Sequence, residues 1–188
     1  MTPADITPFL QERFGSGAQI NSTDAWQVET PEFRLLVLLS ADLSWLRVLV
    51  PIAPAQAVQP YLTQLLEANF ETTQEGRYAL HQDILWGAFH HELASLQPNT
   101  LDAAITRLLG LKQQGTEPFF SQMLEAQMRQ IISASKQQGQ SLEATMQTLD
   151  RFYSEGVMGD LSEGSGYQEQ VLGAWRQQLE RLWPEVEG

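Results

Sequence analysis

The sequence predicts an α+β fold, an antiparallel sheet with helices packed on it, followed by a helical extension. Three observations predict it. Residues 33–40 and 44–52 are short runs rich in Leu, Val and Trp, joined by a polar turn. Apolar residues recur at helical spacing in the segments that flank these runs. Residues 116–188 contain no strand-like run at all. Strands joined by short turns run antiparallel, and their apolar faces need helices to cover them.

The elements follow in order. Thr2, Pro3 and Asp5 read as a helix start, with Thr2 as cap and Asp5 at the capping-box position. Ile6, Phe9, Leu10 and Phe14 mark its apolar face, and Gly15 to Gly17 end it. Pro8 shifts the expected start toward Thr7. Trp26 and Val28 alternate with Gln27 and Glu29, a half-buried strand. In the next run Leu35, Val37 and Leu39 share one face, and Leu36 and Leu38 share the other. A strand that is apolar on both sides expects cover on both sides. Val58, Tyr61, Leu62, Leu65, Leu66 and Phe70 are spaced as a helix, which Pro60 kinks or begins. Residues 77–82 and 84–93 read as a hairpin. Asn99 caps a helix striped by Leu101, Ile105, Leu108 and Leu109, and Gly115 stops it. Three further helices are expected, over about 117–138, 141–155 and 165–183, ended by Gly139, Gly156 and Pro184. The expected order is α-β-β-β-α-β-β-α followed by three helices. Residues 1–115 form the sheet domain, and 116–188 form an extension packed back onto it.

Composition excludes several functions. The chain has 188 residues, 11 Lys+Arg against 23 Asp+Glu, and a net charge of -12. Such a surface does not select nucleic acid or anionic membrane. There is no cysteine, which removes disulfides, thiolate metal sites and Cys nucleophiles. The first 17 residues lack a basic and then apolar leader, so the expected address is the cytoplasm. Residues 33–53 imitate a membrane span, but Asp42 and Arg47 near its middle would each cost about 2.5–3.5 kcal/mol at the bilayer centre.

Residues 65–111 carry a resemblance. Leu65, Leu66, Asn69 and Phe70 close a helix. Gly76, Tyr78, Leu80 and Leu85 follow in the hairpin, and Leu96, Leu101, Ile105, Leu108 and Leu109 mark the next helix. This pattern resembles the type III secretion chaperone fold and, more closely, the YbjN-type proteins that share it. The Gln-rich style and extra C-terminal helices resemble a cyanobacterial member. The resemblance implies a small acidic cytoplasmic protein, a homodimer, that holds a segment of a protein partner. It implies a dimer interface on the helix carrying Tyr61, Leu62, Leu65 and Leu66.

Chemistry-bearing motifs are sparse. His90 and Glu92 share a strand face, His91 points the other way, and His81 lies across the expected hairpin. This His81/His90/Glu92 region is the candidate for a metal-dependent sensor or enzyme. Ser133 and Lys136 match S-x-x-K without its companion motifs. Residues 160–164 imitate a calcium loop with its glycine one position early. Neither points to a site. The expectation is therefore a non-enzymatic protein-interaction or chaperone-like module with no catalytic residue, cofactor or metal. Its partner surface is expected at Trp45, Trp86, Leu36 and Leu38, because their strands are apolar on both faces and Trp is enriched among interface anchors. Strand addition or apolar pockets would supply its affinity. A structural assembly subunit is the remaining alternative.

Overall fold

The computed structural model describes residues 1–154 and 165–187. The chain divides into two compact units, Met1–Phe120 and Ser121–Gly188.

The first unit is an α+β domain. Helix α1 (Pro3–Phe14) leads into strands β1 (Ala18–Ser22), β2 (Ala25–Glu29), β3 (Arg34–Leu39) and β4 (Trp45–Pro54). A short helix α2 (Ala55–Val58) and a 3-10 turn at Pro60 precede α3 (Leu62–Glu71). Strands β5 (Arg77–His81) and β6 (Ile84–Glu92) and helix α4 (Pro98–Gln114) follow. All neighbouring strands are antiparallel, in the order β1-β2-β3-β4-β6-β5.

Helix α1 starts at Pro3. Asp5 accepts from both the Thr2 amide, at 2.7 Å, and the Thr2 hydroxyl, at 2.8 Å. The expected shift toward Thr7 does not occur. Pro8 lies inside the helix on its exposed side, where Ala4 gives up one helical bond to it. Strand β1 was not expected. Four of its five residues, Ala-Gln-Ile-Asn-Ser, are exposed, so this edge strand has no alternating apolar face to reveal it. Helix α4 begins at Pro98 rather than behind Asn99, because proline is preorganised for the first helical position. The β5–β6 turn uses Gln82 and Asp83, both with positive φ, which matches the twist of a two-residue hairpin.

The core lies on one face of the sheet. Trp26, Val28, Leu35, Val37, Leu46, Val48, Val50 and Phe89 point to it and are buried. Helix α1 packs over β1 and β2, and α4 packs over β4 and β6. The Trp26 indole donates to the Thr7 hydroxyl at 2.8 Å, which ties α1 to the sheet. Gly87 lies under α4, and a β-carbon there would meet Leu108 Cδ2 and Ile52 Cδ1 at 3.5 Å, an ordinary contact distance.

The second unit holds most of α5 (Glu117–Gln137), with α6 (Leu142–Ser154) and α7 (Ser165–Leu182). Its core is Met128, Ile132, Leu149, Leu179 and Leu182, and Trp175 and Trp183 pack against it. Glu125 pairs with Arg129 and Arg181, and Arg129 also pairs with Glu185. Gly139 takes a positive φ just beyond α5, as the expected stop there implies. The Gly156 stop and the calcium-like stretch 160–164 lie outside the described residues.

Candidate functional site

The second face of the sheet is open. Strand alternation puts Leu36, Leu38, Trp45, Arg47, Leu49, Trp86 and His90 on it, opposite the buried core set. Gln27, Leu36, Leu49, Ala88 and Arg77 form one cross-strand row. Ala25, Leu38, Arg47 and His90 form the next, and Trp45 stands opposite Glu92 beyond it. Leu36, Leu38, Leu49 and Trp86 are half-buried, and Trp45 is 53% exposed. The four expected partner-surface residues thus share one face. Trp45, Arg47, His90, Leu38 and Ser40 border a depression of about 340 Å³ on it.

The β3–β4 turn holds this end of the face in place. Asp42 Oδ1 accepts from the Ser40 hydroxyl at 2.5 Å, the Ser44 hydroxyl at 2.7 Å and the Ser44 amide at 3.1 Å. These bonds hold its carboxyl down at about 2, the Ser40 hydroxyl contributing most. Ser40 Oγ then accepts from the Trp45 amide at 3.0 Å, which fixes where Trp45 leaves the turn.

Arg47 stands in the middle of this apolar surface. It is exposed, and its side chain makes no hydrogen bond or ion pair with any described residue. His90 is its direct cross-strand neighbour. Partial burial, and then the charge of Arg47, hold the His90 imidazole below its ordinary range, so it is largely neutral near pH 7. Sequence reasoning used Arg47 only against a membrane span. The signal that could have placed it is the alternation in β4, where Trp45, Arg47 and Leu49 fall on one face and Leu46, Val48 and Val50 on the other.

The register separates the candidate metal ligands. His81 pairs with Ile84 at the hairpin turn, and His90 lies six residues further along β6, about 20 Å away. Glu92 shares the face of His90 but accepts from the Ser95 hydroxyl at 3.1 Å. His91 points to the core side, stacked on Phe89 at 5.8 Å. Among the described residues no group of three or more His, Asp or Glu is placed to hold a metal ion. Lys136 of the S-x-x-K match donates to the carbonyls of Trp183 and Val186, at 2.8 and 2.6 Å, and is not turned toward Ser133.

A second apolar surface lies between α3 and β5. Leu62, Leu65, Leu66, Tyr78, Leu80 and Leu85 line a groove of about 220 Å³. Of the expected dimer-interface residues, Tyr61 and Leu65 are buried within this unit, Leu62 is half-buried and Leu66 is 66% exposed. Tyr61 donates to the Thr116 hydroxyl at 3.1 Å and packs edge-on against Phe120. Phe70, one turn beyond Leu66, is 93% exposed.

The free edge of β5 is blunted. The Asn69 carboxamide accepts from the Tyr78 amide at 2.7 Å and donates to the Tyr78 carbonyl at 3.0 Å. A side chain on α3 thus takes two of the backbone positions that an added strand would use. Burial pushes the Tyr78 phenol up to about 12.

No family model matches the chain, and no curated protein matches it. Solved structures are similar to it. The HopA1–SchA chaperone–effector complex matches with a TM-score of 0.47 at 13% identity, over 59% of this chain and 89% of that one. The ExsC–ExsE complex matches with a TM-score of 0.45 at 14% identity, over 58% and 90%. The Yersinia pestis type III secretion chaperone SycH, in complex with a stable fragment of YscM2, matches with a TM-score of 0.46 at 16% identity, over 60% and 98%. Among the described residues, no helix is long and apolar enough to cross a membrane.

Proposed function

We propose that this chain is a protein-binding module of the chaperone-like kind, and that the open face of its sheet takes a segment of a partner protein. One observation carries the reading. Strands β3, β4 and β6 are apolar on both sides, yet α1 and α4 of the same unit lie over one side alone, which leaves Leu36, Leu38, Leu49, Trp45 and Trp86 partly in water. Apolar side chains gathered on one sheet face and left partly in water suit an interaction site. Trp45 supplies an aromatic anchor of the type that dominates interface energetics. The blunted edge of β5 favours docking across the face over strand addition at that edge. Kinship to YbjN-type proteins belongs to this proposal and is supported by the residues of 65–111 named above.

A photo-crosslinking amino acid at Leu36 tests the reading in cells that make the protein. A discrete adduct heavier than the chain is expected. The same group at Gln113, on the exposed side of α4, should give none. Equal, diffuse labelling from both positions would contradict the proposal.

A second reading, homodimerisation through α3, is favoured by Leu66, Phe70 and Leu80, all exposed and apolar. A stable dimer should bury about 1,200–2,000 Å² in total. Sedimentation equilibrium at micromolar concentration checks it. A mass near 42 kDa, about twice the 21.2 kDa of one chain, is expected. A mass that stays near 21.2 kDa excludes it.

A further inference from the structure

The charge on the open face differs from that of the chain. The protein as a whole carries 11 Lys+Arg against 23 Asp+Glu. On the open face of β2 to β6 the ionised side chains are Arg34, Arg47 and Arg77 against Glu29 and Glu92. Arg34 is spent on Glu29, at 2.8 Å. Arg77 folds back on the carbonyls of Gln74 and Gly76. Arg47 alone of the three has neither a carboxylate nor a carbonyl partner among the described residues. It sits between Leu38 and His90 in its row, with Trp45 and Leu49 before and after it on the same strand face.

Covering this face with a purely apolar segment would strip water from the guanidinium and give nothing back. A buried charge is tolerated only when it is paired. A carboxylate on the incoming segment supplies two acceptors that match the planar guanidinium fork. The neutral imidazole of His90 beside it can donate a further hydrogen bond. Leu36, Leu38, Leu49 and Trp45 surround that point and suit apolar side chains on either side of the acid. A second copy of this chain fits less well, because two surfaces each centred on an unpaired arginine would meet charge to charge in an isologous contact.

We infer that the open face selects a partner segment in which an Asp or Glu, flanked by apolar residues, pairs with Arg47. This rests on the open face being the partner surface, and it adds the chemistry of the partner. The other candidate occupants are excluded or admitted by the same test.

The test uses the full chain, immobilised, and a displayed library of random dodecapeptides. Wild type is expected to enrich apolar peptides with one acidic position. Replacing that acid by its amide should weaken binding at least about tenfold, the scale of a well-formed interfacial charge pair. Arg47→Glu, an exposed change checked by thermal melting, should exchange Asp or Glu for Lys or Arg at the same position. Arg47→Gln should lose the charge preference altogether. Arg176→Glu, in the helical unit, should leave the selection unchanged. An apolar consensus without an acid, or one that Arg47→Glu does not alter, would overturn the inference and leave the binding reading standing. No enrichment on wild type would overturn both. A dimer in sedimentation that dissociates on Arg47→Glu would also overturn it, because a second copy would then occupy the face.

Discussion

The two faces of one sheet are made from the same six strands and behave as different surfaces. On one, Leu35, Val37, Leu46, Val48 and Val50 are buried under α1 and α4. On the other, one residue out of step, Leu36, Leu38, Arg47 and Leu49 remain partly or fully exposed. The residue types along β3 hardly differ between the faces. What differs is the cover, and a single charge. Apolar composition therefore identifies where a strand runs, while the cover decides whether its residue holds the fold together or waits for a partner.

The sharpest way to break this comparison is a pair of neighbouring substitutions. Leu35→Ala removes a fully buried side chain and should cost about 2–5 kcal/mol in urea unfolding. Leu36→Ala, the next residue, should cost about 1 kcal/mol or less, because its side chain already meets water. Equal costs would mean that the second face is packed as tightly as the first.

The strands of this comparison were legible in the sequence because Leu, Val and Trp cluster between polar turns. The asymmetry was not legible. Leu36 and Leu38 look as apolar as Leu35 and Val37, and only the placement of α1 and α4 distinguishes them. Strand β1 was invisible for the opposite reason, since an exposed edge strand has no core face to write an apolar pattern. The resemblance over 65–111 picked out Asn69, Gly76 and Tyr78 without a cause, and the structure supplies one. Asn69 ties α3 to the backbone of Tyr78, and a β-carbon at Gly76 would lie 3.3 Å from the Thr73 carbonyl. His81 was misplaced because a turn residue and a residue near the far end of the partner strand look close in a hairpin only until its register is known. Four expected partner-surface residues fell on one face by alternation alone, whereas Arg47, inside an apolar run, was read as an exception.

A second substitution probes the edge. Asn69→Ala should destabilise by about 1–3 kcal/mol, because the Tyr78 amide and carbonyl lose their partners. It should also raise self-association, since β5 then offers a free edge. Light scattering checks the second effect, and an unchanged mass would show that the edge is shielded by something other than Asn69.

Trp45→Ala should leave the melting temperature within a few degrees of wild type, since the ring is half in water. It should weaken binding of a selected peptide about thirtyfold, as loss of an aromatic anchor does. A variant that unfolds instead would reassign Trp45 to the core.

The smallest expected effect concerns acid. Asp42 has its carboxyl lowered from the ordinary 3.8 to about 2 by the hydroxyls and amide of the turn. A group depressed in the folded state stabilises it above its ordinary value, and that contribution is lost as the pH falls through about 2. The side-chain carboxyl signal of Asp42 should therefore titrate near 2 in NMR. A midpoint at the ordinary 3.8 would mean the turn does not hold Trp45 as described.

The most direct test of the open face as the partner surface is a chemical-shift map of the full chain, titrated with a peptide selected from the dodecapeptide library. The largest shifts should fall on Leu36, Leu38, Trp45, Arg47, Leu49 and His90, with Leu35, Val37 and Val48 moving less and only through the shared backbone. Shifts concentrated on Leu62, Leu66 and Leu80 of the α3–β5 groove, or on the helices α5 to α7, would contradict the account.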